Sequence, residues 1–243
     1  MIGSLTLSPA LLLAGLAVLT GALMQGSTGI GLGMVAAPVL LMIDPLFVPG
    51  PLLVLGVVLC VLISVREWRS IDRKGLAIAL VGRMSGSILA GAILSLIPLA
   101  GYDLLFGLLV LGAVLLSNTG WRVPPTARNV LTAGVASGFM GTLTSIGAPP
   151  MALVYQHGAP ATIRATMGAY FALGASFSLA VLATVGKFGD AQALASLLFI
   201  PPLVAGFWVS NRIIPYMNPS RSRRAVLGVA GASAVVLIVK ALL

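Results

Sequence analysis

Apolar residues run along this chain in ten stretches separated by short polar or charged connections. In the first half they cover Pro9 to Gln25, Gly29 to Ile43, Pro49 to Val65, Gly75 to Ile97 and Tyr102 to Asn118. In the second they cover Asn129 to Gly141, Pro150 to Gln156, Ile163 to Val185, Gln192 to Ser210 and Arg223 to Leu242. The last three stretches of each half span about 17 to 23 residues, enough for a helix to cross a hydrocarbon core of ~30 Å. The first two cover 17 and 15 residues in one half and 13 and 7 in the other, and a polar break joins them where a charged loop would be expected. The same order occurs twice, which predicts an all-α polytopic membrane protein of two repeats, residues 1–121 and 122–243. Each repeat is a short helical hairpin, broken or re-entrant, followed by three long transmembrane helices.

The two polar breaks resemble one another. Gln25-Gly26-Ser27-Thr28-Gly29-Ile30-Gly31 is followed 116 residues later by Gly141-Thr142-Leu143-Thr144-Ser145-Ile146-Gly147. Breaking an apolar helix at membrane depth frees backbone N–H and C=O groups, which is tolerable only beside protein, water or ligand. A pair of such interruptions at corresponding positions is the sequence pointer to a transporter's binding site.

Composition supports the bilayer as solvent: 59% of the 243 residues are apolar and 8% charged, with a mean hydropathy of +1.11, values outside those of ordinary soluble domains. Fourteen Lys/Arg exceed five Asp/Glu, but no basic helix or interleaving of aromatic and basic residues marks a nucleic-acid surface. The positions of the cations carry topology instead. Arg66, Arg69, Arg73 and Lys74 follow the third stretch of the first half, whereas Arg212, Arg221, Arg223 and Arg224 follow the fourth stretch of the second. Only oppositely oriented halves put both clusters, with Arg122, Arg128 and Arg164, on the cytoplasmic side. Lys187 and Lys240 then face out, as do both termini. Met1 to Ser8 shows neither a basic n-region nor a cleavage site, so the first hairpin is expected to be retained.

Arg83 is the leading candidate functional residue. Eight residues after Gly75 at ~1.5 Å each put it roughly 12 Å into the membrane, where a charge costs about 2.5–3.5 kcal/mol on insertion scales and is turned toward a cavity or partner. Asp44, Glu67, Asp72, Asp103 and Asp190 all fall at or beyond span ends, so the expected counter-ion is an anion foreign to the chain. Ser87 lies one turn beyond Arg83 on the same side, and Gly82, Gly86 and Ala90 favour close packing. The breaks add Gln25, Ser27 and Thr28 from one half and Thr142, Thr144 and Ser145 from the other, with Gly29, Gly31 and Gly147 opening the backbone. Helices starting near Gly29 to Gly33 and at Pro149 to Pro150 would turn N-terminal N–H groups toward a negative ligand. For each hydroxyl the alternative is a bond back to its own helix; for Arg83 it is snorkelling or binding to backbone carbonyls. Arg164 reads as a topology signal or as a side chain reaching the second hairpin, near Thr166 and Tyr170.

Other chemistry finds no foothold. Cys60 reads as a packing residue, and His157, the single histidine, stands at a loop. No metal set can be assembled, and no Ser/His/Asp or Cys/His arrangement is visible. Gly29-x-Gly31-x-Gly33 follows no strand, so it is no nucleotide loop.

Gly29-Ile30-Gly31-Leu32-Gly33 with Pro38, then Ser145-Ile146-Gly147-Ala148-Pro149-Pro150 with Arg164-Ala165-Thr166, resemble the motifs of the TauE/SafE family of sulfite exporters and organosulfonate permeases, also called the toluene-sulfonate uptake permease family. The likeness covers nearly the whole chain. It departs from the family pattern at Ala148-Pro149-Pro150, where further glycines are expected, and at Arg83, a position usually small or apolar. The resemblance implies transport of sulfite, an organosulfonate or a related sulfur-containing or carboxylate anion across a prokaryotic cytoplasmic membrane; the paired breaks suggest that the halves rearrange around the anion by alternating access. No cofactor is expected; a coupling ion, sodium or proton, and a homodimeric partner are left open. The alternative is a nontransporting membrane subunit or assembly factor.

Overall fold

The computed structural model describes residues 8–96, 99–119, 121, 123–156, 158–216 and 219–242. His157, Arg122 and residues 1–7 lie outside the described residues, as do the side chains of Asp103, Arg221, Arg223 and Lys240. Eleven α-helices are described: α1 Pro9–Thr28, α2 Leu32–Ile43, α3 Gly50–Glu67, α4 Arg73–Leu96, α5 Leu99–Asn118, α6 Ala127–Thr144, α7 Ala148–Tyr155, α8 Pro160–Thr184, α9 Asp190–Leu197, α10 Ile200–Ile213 and α11 Pro219–Leu242. Among the described residues there is no strand. Pro9–Thr28, Pro45–Ser70, Arg73–Leu96 and Pro160–Thr184 are each long and apolar enough to cross a membrane.

The hairpins differ from the expected pairs of short helices. Their first members are 20 and 18 residues long, their second only 12 and 8. The first members run on through the polar residues because the Ser27, Thr28 and Thr144 hydroxyls donate to carbonyls four residues back, Leu23, Met24 and Met140, and stay inside the helix. The stretch Gln192 to Ser210, expected as one span, is two helices, α9 and α10, bent by 47°. Pro201 and Pro202 fall in the first turn of α10, where a missing N–H is harmless but continuation of the preceding helix is blocked.

Glycine faces govern the packing, and the order of the facing residues gives helix direction. Gly82 and Gly86 of α4 lie against the backbone from Leu131 to Phe139, while Gly134 and Gly138 of α6 lie against Ala79 and Arg83. Residue numbers rise together, so α4 and α6 are parallel with their backbones nearly touching, as small-residue faces allow. In the same way Gly206 of α10 faces Leu19 and Ala22, and Gly26 of α1 faces Ser210, a second parallel pair. By contrast α3 and α8 are antiparallel: Gly168 meets Cys60 and Ile63, and Gly50 meets Phe188, beyond the end of α8. The α5 and α11 pair is antiparallel too, with Gly107 against Ile238 and Gly231 against Val114. One apolar core lies among α1, α2, α3, α5, α10 and α11, and a second among α4, α6, α7 and α8.

Candidate functional site

Both breaks are built alike. Helix α1 ends when Gly29 turns into the left-handed region (φ 88°) and donates its N–H to the Gln25 carbonyl at 2.8 Å. Helix α6 ends at Ser145 (φ 62°), whose N–H reaches the Gly141 carbonyl at 2.9 Å. Serine tolerates that backbone here while its Oγ donates to the Pro49 carbonyl at 3.0 Å. One residue before each cap, a threonine hydroxyl accepts the N–H two residues on: Thr28 from Ile30 at 3.4 Å and Thr144 from Ile146 at 3.1 Å. The breaks also touch, since any side chain at Gly33 would strike the Ser145 carbonyl.

Where they meet there is a cavity of about 50 Å³, several times the ~10–15 Å³ that one water needs. Of the sequence candidates, Gln25, Gly31, Arg83, Ser145 and Gly147 line it. Gln25 organises the first break: its Oε1 accepts the Leu32 N–H at 2.9 Å and its Nε2 donates to Cys60 Sγ at 3.0 Å. The next N–H groups of α2, from Gly33 and Met34, have no partner within the helix, and both residues line the cavity with Ala148 at the start of α7. The start of α2 thus brings free N–H groups and positive partial charge to this space, and the start of α7 adds the Ala148 N–H, Pro149 and Pro150 having none.

Arg83 supplies a full charge there. It is 1% exposed, so it does not snorkel, and neither ion pair among the described residues involves it. Its Nη1 donates to the Ser137 carbonyl at 3.2 Å and to the Ser137 hydroxyl at 3.3 Å, and Nη2 to Ser178 at 3.5 Å. The guanidinium also sits 5.3 Å from the Tyr170 ring and 5.7 Å from that of Phe171. Nε is buried without a partner, so the five donors of the group are not used up. Glycines make the space: a Cβ at Gly141 would come within 3.0 Å of Nη1, one at Gly147 within 2.9 Å, and one at Gly174 would overlap Nε.

The remaining candidates surround this centre. Ser87 and Thr142 meet at Ser178, 3.3 and 2.8 Å from its hydroxyl, behind the guanidinium. Ser27, Thr28 and Thr144 bond to their own helices. Arg164 lies against Gly29 of the first break, not the second hairpin, and its Nε donates to Glu67 Oε1 at 2.8 Å. Ser137, Phe171, Gly174 and Ser178, all part of Arg83's seat, were not marked by the sequence, and Tyr170 was placed near Arg164 and not against Arg83. The signal that could have found Gly174 and Ser178 is their helical i, i+4 spacing on a face that continues from Tyr170.

Fold and site together define a multi-pass helical membrane protein whose interrupted helices meet at a buried, positively charged cavity. The sequence profile of the family described as sulfite exporter TauE/SafE matches residues 13–237, nearly the whole chain. The protein therefore belongs to that family, one of membrane transporters of sulfur-containing anions. No curated protein and no solved structure matches the chain.

Proposed function

We propose that this chain is a secondary transporter that moves a small anion, sulfite, an organosulfonate or a related sulfur-containing or carboxylate anion, across the cytoplasmic membrane by alternating access. The observation that carries the reading is Arg83, a buried cation with no carboxylate partner among the described residues, lining a cavity at the starts of α2 and α7. Leaving such a charge uncompensated costs several kcal/mol in the absence of an anion, and the free N–H groups at the start of α2 add positive partial charge to a lining that is otherwise largely apolar. The volume is on the scale of a small inorganic oxyanion; a bulkier sulfonate requires the cavity to open.

The helix pairing supports two inverted repeats, 1–121 and 122–243. If α1, α3, α4 and α5 correspond to α6, α8, α10 and α11, the partner helices α3 and α8 are equivalents running oppositely, as are α5 and α11. That is what a twofold axis in the membrane plane produces. With this orientation the basic clusters are cytoplasmic and both termini outside. Export of a monovalent anion from a negative interior is favoured by ~2.3 kcal/mol per 100 mV and needs no coupling ion.

The test is flux of sulfite, organosulfonates and small carboxylates into proteoliposomes under an imposed potential. Saturable flux in the native protein and its loss in a folded Arg83→Gln variant are expected. Flux equal in both would make Arg83 structural, and none for any anion would favour a nontransporting subunit.

A further inference from the structure

A second charged cluster lies away from the cavity, where α3 ends and α8 begins. Glu67 closes α3 between two guanidiniums, one from Arg66 beside it and one from Arg164 of α8. Both bind the same oxygen: Oε1 accepts from Arg164 Nε at 2.8 Å and from Arg66 Nε at 3.2 Å, with Arg66 Nη2 at 3.1 Å. The other oxygen, Oε2, is buried and accepts nothing. All three side chains are shielded, with 21, 14 and 15% exposure for Arg66, Glu67 and Arg164.

The cluster stands directly behind the first break. Arg66 Nη2 donates to the Gly26 carbonyl at 2.7 Å, Nη1 to Asn211 of α10, and the guanidinium sits 5.3 Å from the Phe207 ring. A Cβ at Gly29 would lie 3.2 Å from the Arg164 Cα. The same end carries further ties between the α3–α4 connection and the second half, Asp72 N–H to Thr166 Oγ1 at 3.0 Å and Tyr155 O–H to the Asp72 carboxylate at 3.1 Å.

Two guanidiniums sharing one carboxylate leave one positive charge uncompensated, and a carboxylate gripped through a single oxygen uses half its capacity. The paired geometry a guanidinium offers, one N–H to each carboxylate oxygen, is used by neither arginine here. The arrangement is instead that of an anion site holding the chain's own anion. We propose that Arg66 and Arg164 form an anion-capture site in which Glu67 is a tethered stand-in, and that a small oxyanion arriving from the basic end of the bundle displaces it and unties α3 from α8. The inference rests on the transport reading only in taking that oxyanion to be the transported one. While Glu67 occupies the guanidiniums, the site is open to a soluble anion for only a fraction of the time, and the apparent Kd is raised by the inverse of that fraction.

The experiment is a titration of the purified full chain with sodium sulfite, read by calorimetry and by the anion-dependent shift in thermal unfolding. It is done in the Arg83→Gln background, so that the cavity contributes no signal, and repeated with Arg83 intact as a guard against misfolding. Glu67→Gln is expected to tighten sulfite binding by about 5-fold or more, and Arg164→Gln added to it to abolish binding. Binding no tighter in Glu67→Gln, binding that survives Arg164→Gln, or no binding in any form overturns the inference. Failure of native flux with binding tightened by Glu67→Gln would instead refute the transport reading and leave this site standing.

Discussion

Replacing Ser137 by alanine separates the seat of Arg83 from the general packing of α6. The hydroxyl accepts from Arg83 Nη1 at 3.3 Å and donates to the Gly147 carbonyl, so it joins the cation to the second break. Arg83 keeps its bond to the Ser137 backbone carbonyl at 3.2 Å, and the loss on that side is therefore partial. Interhelical hydrogen bonds in membranes average ~0.6 kcal/mol and reach ~1.7, whereas a buried acceptor stripped of its partner costs ~1–3 kcal/mol. Added, with the loss on the Arg83 side partial, these give a destabilisation of about 1.5–3.5 kcal/mol. If the lower end of that is felt when the anion draws on Arg83, the anion KM rises about 10-fold, since ~1.4 kcal/mol is a factor of ten. The assay pairs thermal unfolding in detergent with saturation flux, and uses Ser85→Ala as its control. Ser85 lies two residues from Arg83, but its hydroxyl is exposed and bonds back to Val81 at 3.1 Å; its loss is expected to stay within ~0.5 kcal/mol. A Ser137→Ala protein indistinguishable from Ser85→Ala in both melting and KM would refute the reasoning.

Three further substitutions probe other parts of the site. Gly174→Ala puts a methyl on Arg83 Nε; overpacking of this kind costs ~1–3 kcal/mol, and flux should fall with melting temperature, while native flux would mean that the guanidinium has room to move. Gly29→Ala places a Cβ at φ 88° and 3.2 Å from the Arg164 Cα, at a cost of at least ~1–2 kcal/mol from the backbone alone, and an unchanged unfolding midpoint would show that this turn does not need glycine. Ser27→Ala removes a hydroxyl already donating to Leu23 at 2.8 Å, so stability within ~0.5 kcal/mol of native and an unchanged anion KM are expected; a raised KM would make that hydroxyl a ligand.

What could be read from the chain follows from what hydrophobicity and local chemistry encode. The breaks were legible because glycine and hydroxyl residues interrupt apolar runs twice at one spacing. Arg83 was legible because a guanidinium at membrane depth has few explanations. The kink between α9 and α10 was hidden because Phe199 to Val204 is continuously apolar, and hydropathy does not register that two of those residues are prolines. Ser137 and Ser178 look like any hydroxyl on a membrane helix, and only the approach of α4 to α6 and α8 turns them into the partners of one cation. Gly174 carries no signal of its own, since its importance is the absence of a methyl beneath a side chain 91 residues earlier in the chain.

Arg83 meets its partners out of chain order. Ser137 and Ser178 follow it by 54 and 95 residues, and at ~5–20 residues per second a ribosome needs roughly 5–20 s to deliver the later one. For the first 54 residues of that interval neither serine has been made, and α4 is a nascent helix carrying a charge that costs about 2.5–3.5 kcal/mol in lipid. Until the second half is synthesised that cost is offset only by the apolar remainder of α4, which makes biogenesis the stage at which this charge stands without its native partners.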